Sequence, residues 1–445
     1  MFPNPHDALP LPPNVRLATY RKLARKLVAA AKTDDKTALA DWLPAGRLAE
    51  FVRRKLLDHV TLARAQFVIA RCYGFKNWPA FNRDLRLLAH SASVVARFEA
   101  AVDAIVNGDA ATVRDLLHAD PGLARVCSTR RHGATLLIYT AANGVEQYRQ
   151  ITPPNIVDIA ETLLNAGADV NATADLYGGQ CATLELTATS VHPREAGVQQ
   201  PLMELLLARG ASIAKPTLIT ACLANGHPKA AEFLAARGAP VDLPAAAGLG
   251  HLDTAKALYD TASPNHQRDA FLYACAHGRN RVVEFLLKKG ADLTAHRADG
   301  QTALHWAIVG GQFDTVKLLL RHTPPLEQPN IYGGTPLGQA IRSSEPNRDP
   351  EPYLKIIATL IESGAHRQDK YAQGLNVHTV DGVAGKILGG LRLKIVAQTA
   401  DLLGGLQESE GGRIVGTVHA HHHFAELLQA SVHRPHLRAQ LPVFL

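Results

Sequence analysis

Apolar positions recur every three to four residues through most of the chain, the spacing of one face of an α-helix. From Val15 to Ala31, Leu17, Leu23, Leu27 and Val28 fall on one side and Arg and Lys on the other. Further helical stretches are expected at 36–43, 46–57 and 62–81. From about residue 98 the stripes shorten and recur with turn residues between them. Val113/Leu116/Leu117, Ile159/Leu163/Leu164, Leu202/Leu205/Leu206, Phe285/Leu286, Leu318/Leu319 and Ile357/Leu360/Ile361 each suit the buried face of a short helix. The pattern predicts an all-α chain built from short paired helices.

The pairs repeat. Thr302-Ala303-Leu304-His305-Trp306-Ala307 is followed by Gly311 and the stripe to Leu320, and Gly333-Gly334-Thr335-Pro336-Leu337 opens the same pattern 33 residues after Thr302. Upstream, Val282 to Leu287 runs into Gly290-Ala291-Asp292. Thr and Pro suit a first helical turn, the hydroxyl capping free N–H groups and the ring presetting φ, and Gly suits a left-handed helix end. Helix-ending markers at Gly108, Gly144, Val191, Gly226, Gly250, Gly278, Gly311 and Ser344 give about eight units, at intervals of 36, 47, 35, 24, 28, 33 and 33. The long interval signals an insertion, and the short ones mark degenerate units around 216–265.

A 33-residue period with these residues resembles the ankyrin repeat. The inserted stretches Ala142 to Gln150, Thr152 to Asn155, Tyr177-Gly178-Gly179, Ala188 to Pro193 and Ala196 to Gln199 are more narrowly similar to a family of bacterial ankyrin proteins with decorated repeats. Ala63, Gln66, Phe67, Ala70, Arg71, Gly74, Phe75, Trp78 and Pro79 resemble a helical motif that precedes such arrays. The resemblance implies a solenoid and brings no activity with it. The expected organisation is a disordered leader at 1–14, a basic helical domain at 15–90, an ankyrin array at 97–368 and a poorly ordered Gly/His-rich tail at 369–445.

Composition narrows the function classes. A chain of 445 residues that is 47% apolar and 20% charged suits a folded protein rather than a disordered one. No apolar run approaches the length of a membrane span, and the proline-rich start does not read as a secretory signal. Five cysteines, odd in number and scattered, fit reduced thiols in the cytoplasm better than a disulfide framework. The net charge of +7 is uneven: residues 1–90 hold sixteen Lys/Arg against seven Asp/Glu. Any polyanionic partner would be met there.

No phosphate loop, dinucleotide fingerprint, nucleophile elbow or zinc-protease motif occurs, so the chain reads as non-catalytic, without cofactor or metal. His305 is expected to tether adjacent repeats, not to act as a base. His419, His421, His422 and His423 read as a solvated run. Arg21, Lys22, Arg25 and Lys26, with Arg53, Arg54 and Lys55, could grip phosphates, though a solvated helix face is preferred to nucleic-acid binding. The leading expectation is a protein or peptide partner held on the concave ankyrin face. Asn143, Tyr148, Arg149, Tyr177, Ser190, His192, Gln199, Asn225, His277, Asp299 and Tyr332 are its expected contacts, taken from the column beside each helix end, the hairpin tips and the inserted loops. The rival readings are a nucleic-acid-associated protein working through the basic helices and an enzyme with a pocket between loops 145–155 and 191–200.

Overall fold

In a computed structural model of the chain, residues 8–11, 16–32, 61–344 and 351–365 are described. Their regular structure is helical apart from one two-stranded hairpin and two isolated bridges. The helices expected at 36–43 and 46–57, most of the 1–14 leader, Arg53, Arg54 and Lys55, and the 369–445 tail with its histidines lie outside the described residues. The chain divides into two compact units, Met1–Val241 and Asp242–Leu445.

The first unit opens with α1 (Leu17–Lys32), α2 (Leu62–Cys72) and α3 (Trp78–Leu88). Tyr20, Ala24 and Leu27 of α1 join Val68, Ile69, Phe75, Phe81 and Leu85 in one apolar cluster. The Tyr20 ring stands edge-on to Tyr73 and Phe81, at 5.1 and 4.9 Å. Thr61 caps α2, and Asn77 caps α3 ahead of Pro79. Gly74, at φ 84°, turns the chain between them.

Four helix pairs follow in this unit: α4 (Val94–Asn107) with α5 (Ala110–Ala119), α6 (Leu136–Tyr139) with α7 (Ile156–Asn165), α8 (Thr183–Thr189) with α10 (Gln199–Ala208), and α11 (Leu218–Ala224) with α12 (Pro228–Ala235). The strands Thr173–Leu176 and Gly179–Ala182 form the hairpin before α8. A short helix, α9 (Val191–Glu195), separates α8 from α10. Val191 therefore opens a helix rather than closing one, because Pro193, which lacks an N–H, fits a first turn and not a continuing helix.

The second unit holds four more pairs: α13 (Leu243–Leu249) with α14 (Leu252–Tyr259), α15 (Pro264–Ala276) with α16 (Asn280–Lys288), α17 (Ala303–Val309) with α18 (Phe313–Leu320), and α19 (Pro336–Ser343) with α20 (Glu351–Glu362). First helices pack on their successors through small residues: Ala245, Ala246, Ala247, Ala270, Ala274, Ala303, Ala307 and Ala340 are wholly buried. The closest approach is at Gly310, where an added Cβ would lie 2.0 Å from the Ala276 carbonyl oxygen. The second helices α16, α18 and α20 supply larger apolar side chains, such as Val282, Val283 and Leu286, whose burial is worth about 1.5–3 kcal/mol apiece.

One turn geometry recurs at both ends of the pairs. After the first helix, Asp109, His227, His251, Arg279 and Gln312 donate their N–H to the carbonyl five residues back. After the second, Ala168, Ala211, Ala239, Ala291 and Ala365 do the same. This hydrogen bond closes a Schellman turn and requires a left-handed residue just before it, which explains the Gly-Ala pair at 290–291. Gaps between pairs shrink where the hairpin is missing: only seven residues separate α12 from α13, which accounts for the short interval around 216–265.

Adjacent pairs are also stitched by side chains reaching main-chain carbonyls. Asn155 Nδ2 donates to Gly108 O at 2.8 Å, Asn171 Nδ2 to Gly210 O at 3.0 Å and Arg279 Nε to Gly248 O at 2.9 Å. His305 does the same. Its Nδ1 accepts the Thr302 N–H at 3.3 Å and faces Thr302 Oγ1 at 2.9 Å, which leaves the proton on Nε2 to donate to Gly334 O at 3.1 Å. His305 is a tether between repeats.

Candidate functional site

The inserted loop after α6 is not a free wall. Glu146 is wholly buried, and its Oε1 lies 2.8 Å from Arg130 Nε and 3.1 Å from His132 Nε2. His132 Nδ1 accepts the Ala134 N–H, so Nε2 carries the proton and donates to the carboxylate. Tyr139 OH donates to Glu146 Oε2 at 3.2 Å. Burial alone would raise the Glu146 carboxyl, but the Arg130 guanidinium and the His132 hydrogen bond hold it well below the usual carboxylate range. Arg130 also pairs with Glu99 at 3.3 Å and donates to Tyr73 O at 2.9 Å, so the cluster ties the end of α2 to the first two repeats.

Arg149, expected as an exposed loop contact, belongs to this cluster: it is buried, 2.8 Å from Glu99 and 2.7 Å from Asp103. A long cation beside two carboxylates of α4 gains more from pairing with them than from facing solvent. Tyr148 is half-buried, its ring under the Arg149 guanidinium and its hydroxyl 3.4 Å from Arg130. Gln150 Nε2 donates back to Val145 O, which closes the loop on itself.

Ser190 and Gln199 are likewise buried rather than presented. Ser190 Oγ donates to Ala142 O, and Gln199 Nε2 sits among the carbonyls of Thr187, Ala188 and Ser190 at 3.0–3.3 Å. These carbonyls lie where α8 stops short of another turn, and the amide donates to them there. Gln199 Nε2 also faces His227 Nδ1 at 3.3 Å. Burial, aided by the nearby Arg194, lowers His227 to about 4. His192 is half-buried on α9, and Asn225 is half-buried with Nδ2 bonded to Ala221 O of its own helix.

Tyr177 and Asn143 do come together at the surface. Tyr177 and Gly178 form a two-residue hairpin turn with φ of 54° and 80°, both left-handed, as a type I′ turn requires. Such a conformation costs a non-glycine residue about 1–2 kcal/mol. The Tyr177 hydroxyl donates to Asn143 Oδ1, and Asn143 Nδ2 donates to Leu186 O and Thr189 Oγ1. The ring remains 41% exposed. An aromatic residue is thus held out at a strained tip.

In the second unit, the hairpin segments around 299 and 331 lie side by side, Ile331 N donating to Asp299 O at 3.0 Å. Asp299 is half-buried and Oδ1 accepts the Gln301 N–H, which shapes its turn. Ile331 and Tyr332 project from the next tip, 62% and 49% exposed. His277 ends α15, half-buried. Beside these lies a set the sequence reading passed over. The rings of Tyr273 and Trp306 meet edge-on at 6.0 Å, and Arg297 lies over Tyr273, donating to its hydroxyl at 3.0 Å. Asp269 Oδ2 is 3.9 Å from Arg297 Nε. The signal was present: Tyr273 and Trp306 are each a large aromatic residue in a first helix otherwise rich in alanine.

A separate cleft of about 470 Å³ in this unit is lined by the turns and helix starts at Gly278, Asn280, Gln312, Asp314, Glu351 and Lys355. Thr315 Oγ1 at its wall is already bonded to Asn280 Oδ1. No group of three or more His, Cys, Asp or Glu is placed to hold a metal ion among the described residues.

Comparison with known proteins agrees with this geometry. Residues 195–297 and 271–371 match the family model for ankyrin repeats in three copies. The "Ankyrin repeat and KH domain-containing protein mask-1" of Caenorhabditis elegans is 24% identical over 332 residues, which cover 69% of this chain and 12% of that protein. The chain thus spans about an eighth of that relative's length. Ankyrin repeats are in general protein-interaction modules. The paired helices, the shared turn geometry and these matches identify the architecture as an all-α ankyrin-repeat solenoid.

Proposed function

We propose that the array is a non-catalytic module that binds a protein or a peptide on the surface formed by its first helices and hairpin tips, in the cytoplasm. The observation that carries this reading is the pair Arg297 and Trp306, half-buried and backed by the buried Tyr273 ring, with the exposed Ile331 and Tyr332 on the next hairpin tip. Trp, Tyr and Arg dominate the binding energy of protein interfaces because they combine large apolar area with directed hydrogen bonds. The Trp306 indole N–H is itself buried, with no acceptor among the described residues, so Trp306 contributes the exposed part of its half-buried ring. Arg297 is fixed by Tyr273 and Asp269, so little rotamer freedom is lost on binding.

In the first unit, Tyr177 over Asn143 is the corresponding feature. The enzyme alternative at loops 145–155 and 191–200 is less well supported. Glu146, Arg149, Gln150, Ser190 and Gln199 are all committed to partners inside the fold, which leaves few polar groups there to meet a substrate.

The test is a peptide-library selection against the full chain, followed by affinity measurements on the selected binders. Trp306→Ala, Arg297→Ala and Tyr332→Ala should each weaken binding tenfold or more, which is about 1.4 kcal/mol. Lys317→Ala, on a second helix, should leave it unchanged. Binders indifferent to all three substitutions would remove the surface from consideration.

A further inference from the structure

We infer that α1 is a docking surface for duplex nucleic acid, held through its phosphate backbone without sequence choice, and separate from the peptide-binding surface. The helix carries Arg16, Arg21, Lys22, Arg25, Lys26 and Lys32 at its start and along its length, all exposed. Among the described residues from 16 to 90 the one acidic residue is Asp84, whose side chain is wholly buried. Lys76 and Arg86 add exposed cations on the same three-helix segment.

This arrangement has a local cost. Arg21 with Arg25 and Lys22 with Lys26 are like charges four residues apart, each pair destabilising an isolated helix by about 0.2–0.5 kcal/mol. Neither Arg16 nor any of the five cations of α1 forms an ion pair among the described residues. A helix of 16 residues is about 24 Å long, so with Arg16 its cations lie about 4 Å apart along the axis on average. Each strand of a duplex presents one phosphate per about 3.4 Å of axis. The two charge densities suit one another.

The remaining features of α1 select among anionic partners. Its apolar side is already used: Tyr20, Ala24, Leu27 and Ala30 are buried in the cluster with α2 and α3, so no apolar stripe is left to enter a lipid headgroup layer. Its exposed face carries no aromatic residue, neither a platform for stacking single-stranded bases nor an anchor for an acidic protein. What remains is a straight cationic face, which fits the backbone of a double helix.

The experiment uses the full chain and a fluorescent 20-base-pair DNA duplex, with anisotropy followed from 50 to 200 mM NaCl. Four phosphates neutralised by Arg21, Lys22, Arg25 and Lys26 give a slope of log K against log salt near −3.6, or about 150-fold weakening over that range. The Arg21→Gln/Lys22→Gln/Arg25→Gln/Lys26→Gln variant should lose more than about tenfold at 50 mM and most of the slope. Arg281→Gln/Lys288→Gln should bind as the wild type does. Arg21→Lys/Arg25→Lys, which keeps the charge, should also bind, and an unchanged thermal midpoint shows that the quadruple variant is folded. The inference is overturned if the quadruple variant binds within twofold of wild type. It is equally overturned if polyglutamate or vesicles containing phosphatidylserine compete as well as unlabelled duplex at equal charge concentration.

Discussion

Replacing Glu146 by Gln isolates the contribution of the buried charge cluster. The side chain keeps its shape, so no cavity opens, and an amide can still accept from His132 and meet the Tyr139 hydroxyl. What changes is charge. Arg130, 2% exposed, loses the carboxylate 2.8 Å from its Nε and is left to share Glu99 with Arg149. At an effective dielectric near 20, unit charges about 4 Å apart interact by about 4 kcal/mol. Part of that is returned because the carboxylate no longer has to be desolvated, and removal of one member of a buried pair generally costs about 3–5 kcal/mol. We expect Glu146→Gln to lower unfolding free energy by about 3 kcal/mol, or about 6–12 °C in midpoint for a unit of this size. Urea titration followed by far-ultraviolet circular dichroism measures it. Burial would raise Glu146, but Arg130 and the His132 hydrogen bond depress it from its ordinary value of 4.5, so its contribution is complete above that pH and fades as acid is added. Wild type and variant should therefore converge as pH falls below 4.5. A loss under about 1 kcal/mol at neutral pH would show that the cluster is not charge-balanced as described. So would a gap that widens in acid.

Three further outcomes follow from single contacts. Gly310→Ala should cost about 3 kcal/mol, since the new methyl meets the Ala276 carbonyl, whereas Gly179→Ala, with open space around it, should stay within about 0.5 kcal/mol; equal effects in urea titrations would refute the close approach. His227, lowered to about 4 by burial and Arg194, stabilises the fold fully above its ordinary 6.5 and loses that contribution as pH falls toward 4. His227→Gln should thus flatten the urea midpoint between pH 7 and 5, and an unaltered pH dependence would exclude the assignment. Tyr177→Asn places a residue suited to the left-handed turn in a tip that strains tyrosine, so thermal stability should hold while affinity for the selected peptides falls; a stability loss above about 1 kcal/mol would contradict the strain argument.

Much of the fold could be read from residue order because each repeat states its own boundaries. Thr335-Pro336 caps a helix, Gly290-Ala291 closes one, and the Leu-Leu stripes face inward; all act over fewer than six residues, a range at which local chemistry dominates. His305 was legible for the same reason, its partner being fixed by the repeat spacing. The candidate contacts fared less well. Arg149, Ser190 and Gln199 look like exposed loop residues by type, yet their partners Glu99, Ala142 and Thr187 lie 50, 48 and 12 residues earlier in the chain. A polar residue in an insertion can satisfy the interior as readily as a partner, and only its surroundings decide which. Trp306 was missed in the opposite sense: an aromatic residue in a first helix resembles core, as Tyr273 is, yet Trp306 stands only half-buried.

The carbonyl stitches between repeats have an evolutionary consequence. Asn155, Asn171, Arg279 and His305 grip a main-chain oxygen at a helix end or turn of the adjoining repeat, an atom that every amino acid supplies. A neighbour that keeps the turn can drift in side-chain identity without loosening the grip upon it. Such tolerance lets eroded copies like those around 216–265 persist between well-kept ones, and it frees the exposed positions of each copy to be reshaped for a new partner one repeat at a time.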